Sequence, residues 1–267
     1  MLRDITIGQY YSADSIIHRM DPRTKILWTV FYMVLLFAVD SLLAYGAIIL
    51  LTFVIIRLSK VPLKFMLRGL KPIVVLVIFT AILNLFMTPG EKTVFSWGAF
   101  RITDEGVVVA AKMAIRIVLL IASSSLLMLT TTPTVLTGGL ESLLSPLKKI
   151  GVPISVFVMM MSIALRFIPT LLDETDKIMK AQASRGADFE SGGPVKRIKA
   201  MLPILVPLFV SAFSRADELA VAMECRCYNC DGERTAYRKY CFEKRDYMAF
   251  LAAIVVCGVL IVIKVVQ

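Results

Sequence analysis

Five apolar runs divide the chain: Ile26–Val39, Leu42–Leu58, Leu70–Met87, Val107–Leu129 and Met248–Ile263. Crossing the hydrocarbon of a bilayer as a helix takes about 20 mostly apolar residues, and each run reaches or approaches that length with few charges. None alternates apolar and polar residues as a membrane β-strand would. Hydrocarbon offers no partner for a free amide, so a bundle of spanning helices is the economical architecture that remains. The pattern predicts an all-α polytopic membrane bundle of about five spans. Asp21 precedes Pro22 at the head of the first run, a cap followed by a residue suited to the first helical turn. Between the third and fourth runs, Pro89-Gly90, Ser96-Trp97-Gly98 and Phe100 interleave turn formers with aromatics, which predicts a short hairpin at the membrane interface.

From Thr132 to Tyr247 the pattern changes. Apolar stretches alternate with dense charge, and Gly138-Gly139, Gly151-Val152-Pro153 and Gly192-Gly193-Pro194 are expected to divide the segment into three helical pieces. The second piece opens apolar over Ile154–Leu165 and ends charged. In its charged half Leu171, Thr175, Ile178, Met179 and Gln182 share one face, with Asp173, Asp176, Lys177 and Lys180 opposite. The third carries Ala216, Leu219, Ala220 and Met223 at helical spacing against Asp217 and Glu218. These are amphipathic helices of a partly soluble domain at 132–247. A membrane domain with four spans precedes it at 1–131 and a last span follows at 248–267. Pro153–Phe167 and Leu202–Phe213 leave open an alternative with six or more spans. The second of these is short and holds Pro203 and Pro207, so membrane-grazing helices are favoured.

Charge orients the bundle. Arg57, Lys60, Lys64, Arg68 and Lys71 lie between the second and third runs with no acidic residue among them. Glu91, Lys92, Arg101, Asp104 and Glu105 make the next loop slightly acidic. Positively charged loops stay in the cytoplasm, so the N-terminus and 132–247 are expected inside and the C-terminus outside, in a plasma membrane. The net charge of +10 is thus explained by topology, and nucleic acid is not an expected partner. Met1–Asp21 is polar with no apolar core, so the first span itself is expected to target the chain. Cys225, Cys227 and Cys230 fall in the cytoplasmic segment, where thiols stay reduced, and no structural disulfide is expected.

Two helix ends look alike. One reads Lys180-Ala181-Gln182-Ala183-Ser184-Arg185-Gly186-Ala187-Asp188, the other Leu219-Ala220-Val221-Ala222-Met223-Glu224-Cys225-Arg226-Cys227-Tyr228. Each is an Ala-rich amphipathic helix closing on one arginine flanked by small residues. Small neighbours let a helix tip enter a groove closely, and arginine supplies a charged fork for carboxylates or carbonyls. The plainer account of either site alone is a cationic C-terminus favoured by the helix dipole, with Gly186 just past the end. The repetition weakens that account.

With these stretches, Asp14-Ser15, His18-Arg19-Met20-Asp21-Pro22-Arg23-Thr24-Lys25, Arg166-Phe167-Ile168-Pro169 and Arg215–Arg226 complete a pattern. The chain resembles the transmembrane T component of energy-coupling factor (ECF) transporters, a family that includes the cobalt-transport permease subunits. The resemblance covers nearly the whole chain. It implies a non-enzymatic scaffold in which 132–247 carries the coupling helices and the two tips dock into two cytosolic ABC ATPase subunits. A small substrate-binding membrane subunit (the S component) would pack on the same scaffold within the lipid bilayer, importing vitamins or metal ions. Carried over, the ATPase-docking residues would be Ser184, Arg185, Gly186, Cys225, Arg226 and Cys227. Cys227 departs from the glycine or other small residue usual there.

Other features carry less. Cys225, Cys227, Cys230 and Cys241 have an unusual spacing for zinc, so no metal is assigned. His18 is the only histidine, which excludes His-based catalysis and multi-His metal sites. Lys112 and Arg116 lie one turn apart in the fourth run, and a charge there is either functional or structural. Met159-Met160-Met161 face different ways on a helix and read as packing. No phosphate-binding Gly-x-x-x-x-Gly-Lys-Ser/Thr stretch occurs, so no cofactor is expected and ATP belongs to partners. An intramembrane enzyme and a stand-alone carrier are the rival classes. The first lacks a catalytic pair within a span, the second lacks inverted repeats.

Overall fold

Asp21 and Pro22 start the first helix as the sequence suggests: the Asp21 carboxylate accepts the Arg23 N–H at 2.9 Å, closing the N-terminal turn. In the computed structural model, residues 10–89, 93–97, 100–187, 189, 193–228 and 240–266 are described. Gly90, Glu91, Lys92, Gly98, Asp188, Gly192 and Cys230 of the sequence reading lie outside them. The order is α1 (Pro22–Ala38), α2 (Leu42–Ser59), α3 (Leu63–Leu70), α4 (Val74–Met87), β1 (Thr93–Trp97), β2 (Phe100–Thr103), α5 (Asp104–Thr130), α6 (Pro133–Leu144), a 3-10 segment (Ser145–Ile150), α7 (Ile154–Ser184), α8 (Pro194–Cys225) and α9 (Lys244–Val266). The expected hairpin is present: β1 and β2 pair antiparallel, with Trp97 opposite Phe100.

α2, α5 and α7 are long and apolar enough to cross a membrane by length and composition, and α4 is a shorter apolar helix. Two expectations need correction. The third apolar run is not one continuous helix, because α3 ends at Leu70, the chain turns through Lys71–Ile73 and helix resumes only at Val74. Pro72 lacks an N–H and disfavours helix at the residue before it. α4 is therefore about 21 Å long. Nor do Gly138-Gly139 break a helix; both lie inside α6. They are there for close approach: a Cβ on Gly138 would sit 2.6 Å from the Tyr240 hydroxyl, and one on Gly139 2.9 Å from Pro22.

The chain forms two compact units. One comprises Gly8–Leu143 with Tyr240–Gln267, the other Leu144–Lys239 with Met1–Ile7. In the first, α5 is the central pole against which α1, α2, α3 and α4 pack, while α9 lies on α1 and α2. Its core gathers Tyr32, Leu35, Leu36, Tyr45, Ile48 and Leu119. Outside that core the apolar residues face outward. α4 buries none of its side chains, and Val75 is 74% exposed. So dense an exposed apolar surface belongs in lipid. The molecule is an α-helical membrane protein.

Polar residues knot this unit at one end. The Lys25 ammonium donates to the carbonyls of His18 (3.1 Å) and Thr130 (3.0 Å) and to Thr131 Oγ1 (3.2 Å), which uses all three of its protons. Asp246, 1% exposed, accepts the N–H of Asp21 (3.1 Å) and of Glu243 (2.9 Å), joining the starts of α1 and α9. The Arg23 guanidinium lies over the Tyr240 and Phe242 rings. At the opposite end of α1, Arg116 ties the α1–α2 connection to α5: it donates to the Tyr45 hydroxyl (2.9 Å) and the Val39 carbonyl (3.2 Å), with Asp40 at 3.6 Å. Of the two roles open to it from sequence, these bonds give it a structural one.

Candidate functional site

The second unit is built on α7 and α8, and the expected apolar positions of α8 do face α7. Ile163, Phe167 and Leu171 of α7 and Ala216, Leu219, Ala220 and Met223 of α8 line one cleft of about 300 Å³. Glu174 locks the pair farther along: its carboxylate accepts from Ser211 Oγ and from Arg215, each at 2.7 Å. At the other end the Tyr228 hydroxyl reaches the Met159 sulfur. Residue numbers rise on α7 as their partners' numbers fall on α8, so the helices run antiparallel. Arg226 is then level with the start of α7, and Arg185 lies about 35 Å farther along at 1.5 Å per residue. The two tips point away from opposite ends of one helix pair.

Each tip ends in the same hydrogen-bonded cap. At the first, Gly186 N–H donates to the Ala183 carbonyl and Ala187 N–H to the Gln182 carbonyl, both at 3.0 Å. At the second, Cys227 N–H donates to Glu224 (2.9 Å) and Tyr228 N–H to Met223 (3.0 Å). This is the Schellman arrangement, which satisfies the last carbonyls and requires a left-handed residue just past the helix. Gly186 fills that place at φ +89° and Cys227 at φ +53°. The arginine is the cap residue in both, with φ −90° and ψ 8° at Arg185, and φ −93° and ψ 15° at Arg226.

Ser184, Arg185, Gly186, Cys225, Arg226 and Cys227 are all exposed. Among the described residues neither guanidinium has an ion-pair partner, so each presents its donors outward from a helix end. Ser184 Oγ donates back to the Lys180 carbonyl at 2.9 Å, which folds its short side chain against its own helix at the tip. Cys225 and Cys227 are free thiols, and among the described residues no group of three potential metal ligands forms. Glu174 and Tyr228 were not singled out in sequence. Glu174 borders Thr175 on the apolar face of α7, a carboxylate where apolar residues are due, and that was the available signal.

A polytopic helical membrane unit joined in the chain to a pair of amphipathic helices with matched arginine tips defines a class, the α-helical polytopic membrane proteins. Residues 13–237 match the family model described as "Cobalt transport protein" (CbiQ). The chain is 52% identical over 266 residues to the energy-coupling factor transporter transmembrane protein EcfT of Clostridium kluyveri, covering 99% of this chain and 98% of that one. It is 50% identical over 248 residues to EcfT of Ruminiclostridium cellulolyticum, 93% of this chain and 92% of that one. To EcfT of Bacillus subtilis it is 44% identical over 264 residues, 99% of this chain and all of that one. The chain belongs to the CbiQ family of transmembrane transport proteins.

Proposed function

We propose that this protein is the transmembrane coupling subunit of an ECF-type importer, and that Arg185 and Arg226 each dock one of two cytosolic ABC ATPase subunits. The observation that carries it is the repetition of one capped arginine tip at the two ends of the α7–α8 pair. One tip alone is an ordinary helix end. Two with the same cap, the same backbone at arginine and exposed guanidiniums, about 35 Å apart, suit two copies of one groove on two related subunits. Closure of an ATPase pair around ATP would displace the tips, and rigid helices would carry the displacement toward the membrane.

The chain itself is a non-catalytic subunit in this scheme and binds no nucleotide. Leu202, Leu205, Val206, Phe209, Val210 and Phe213 form an exposed apolar face on α8, spaced for a single helix side. It suits packing of a substrate-binding membrane subunit, which would set the choice of vitamin or metal ion. We place the basic Arg57–Lys71 loop, the N-terminus and the α7–α8 unit in the cytoplasm. On this reading α7 grazes the membrane, since it pairs through Glu174 with a charged partner helix.

The test is Arg185→Ala, Arg226→Ala and both together in the reconstituted complex. Truncating a charged interface anchor costs about 2–5 kcal/mol. Each single variant is expected to weaken ATPase docking or uncouple hydrolysis from uptake, the double variant more so, with binding of the substrate subunit retained. Wild-type transport with intact complexes in both single variants would reduce the tips to ordinary helix ends.

A further inference from the structure

In the membrane unit a groove of about 400 Å³ opens between α1, α2, α5 and α9, and nothing above uses it. Its walls are apolar, with Trp28, Ile55, Leu58, Leu126, Met248 and Ala252 among them. Along the helices it runs from Lys25 to Tyr32, Leu58 to Leu51, Thr130 to Ala122 and Arg245 to Ala252. That is about 11 Å at helical rise, within the roughly 15 Å of hydrocarbon in one leaflet. Its inner polar groups are already partnered: the Tyr32 hydroxyl meets Thr52 Oγ1 at 2.6 Å, and Thr52 donates to the Ile48 carbonyl at 2.7 Å. The Lys25 protons are likewise taken. Only an apolar occupant suits the interior.

The mouth is different. Arg245 lines it, 3.8 Å from the Glu243 carboxylate. Arg19, ion-paired with Asp14, lies in the chain between Ile17 and Met20, which line the groove. The Asp14 carboxyl is held below its ordinary value first by the hydrogen bond from Arg19, with the charges of Lys60 and Arg245 adding to it. Among the residues lining the groove the charged ones are Lys25 and Arg245, with no carboxylate beside them, which leaves the lining net positive. Basic rims on grooves between membrane helices attract anionic lipid headgroups.

We propose that the groove binds one acyl chain of an anionic phospholipid, whose phosphate lies against Arg245 and the neighbouring cations. Only the leaflet rests on the orientation proposed above. Cysteine labelling would report a reversed orientation separately and leave the lipid result unchanged.

The chain has two tryptophans, so Trp97→Phe leaves Trp28 in the groove as the sole emitter. The full chain is reconstituted in phosphatidylcholine vesicles with a minor fraction of brominated phosphatidylglycerol or brominated phosphatidylcholine. Trp28 should be quenched about fivefold more strongly by the anionic lipid, the factor expected of one added basic contact. Arg245→Gln should bring the two lipids to near parity, and Ala252→Phe should reduce quenching by both. Should Ala252→Phe not assemble, Ser123→Leu fills the same groove from α5. Equal quenching by the two lipids in the parent chain would overturn the proposal, as would quenching unmoved by filling the groove. So would protection of Trp28 by tryptophan-free partner subunits, which would assign the groove to a protein.

Discussion

Gly186 and Cys227 hold the same place in two helix caps, each just past an arginine and each in the left-handed region, at φ +89° and +53°. Glycine adopts that backbone freely, whereas a side-chain residue incurs about 1–2 kcal/mol. Cysteine is small, and the two carbonyl bonds its cap closes offset part of the strain.

Cys227→Gly should therefore strengthen the second tip by about 1 kcal/mol and leave the docking arginine where it is. Hydrogen exchange at the Tyr228 amide, which bonds the Met223 carbonyl, should slow roughly fivefold. Faster exchange would show that the cysteine side chain contributes something glycine cannot. Gly186→Val should do the reverse at the first tip.

Glu174 and Arg215 join α7 to α8 at 2.7 Å, but both side chains are partly exposed, so the pair adds only a small stabilisation. A double-mutant cycle with Glu174→Gln and Arg215→Met should return a small coupling energy in unfolding experiments. A near-zero coupling would leave the apolar cleft as the sole adhesive between the helices.

Lys25→Met is expected to do more damage. It preserves length but leaves the His18 and Thr130 carbonyls and the Thr131 hydroxyl without their donor. Unsatisfied buried groups of this kind cost about 1–3 kcal/mol each, so the purified protein should melt several degrees lower. An unchanged melting temperature would show that water replaces the ammonium.

His18 gives the N-terminal segment a pH dependence. Its Nε2–H donates to the Tyr11 carbonyl (3.0 Å), so the neutral ring accepts from Ser15 Oγ at Nδ1 (2.7 Å). Burial pushes the imidazole below its ordinary value of 6.5. The unfolded segment then binds a proton more readily than the folded one, and stability rises with pH. The contribution should be complete above 6.5 and be lost as pH falls through the lowered folded value. Protection of the Tyr11 amide from exchange, relative to its intrinsic rate at each pH, should fall on acidification, since it bonds the Leu129 carbonyl, and His18→Gln should flatten that response.

Much of the fold was legible because it is local. Apolar runs report burial in lipid or core wherever they occur, Asp21-Pro22 specifies a helix start through bonds two residues apart, and Arg185-Gly186 marks a helix end. Cys227 was harder to read, since no single-residue preference announces a left-handed cysteine; the six-residue bond pattern around it does. The third run misled because Pro72 acts on its neighbours' backbone without lowering the hydropathy of the stretch.

The sequence by itself determined that this is a helical membrane protein, where its amphipathic helices lie, and that two of them end in the same small-arginine tip. Each of those properties is written within one or two helical turns. Only the tertiary structure decided that α7 and α8 run antiparallel and hold the tips apart, and that Gly138-Gly139 make room for Tyr240 and Pro22 inside α6 instead of ending it. It alone showed that Lys25 and Arg116 bind chain segments 77 to 106 residues away. Such contacts depend on which distant surfaces meet, and local periodicity carries no record of that.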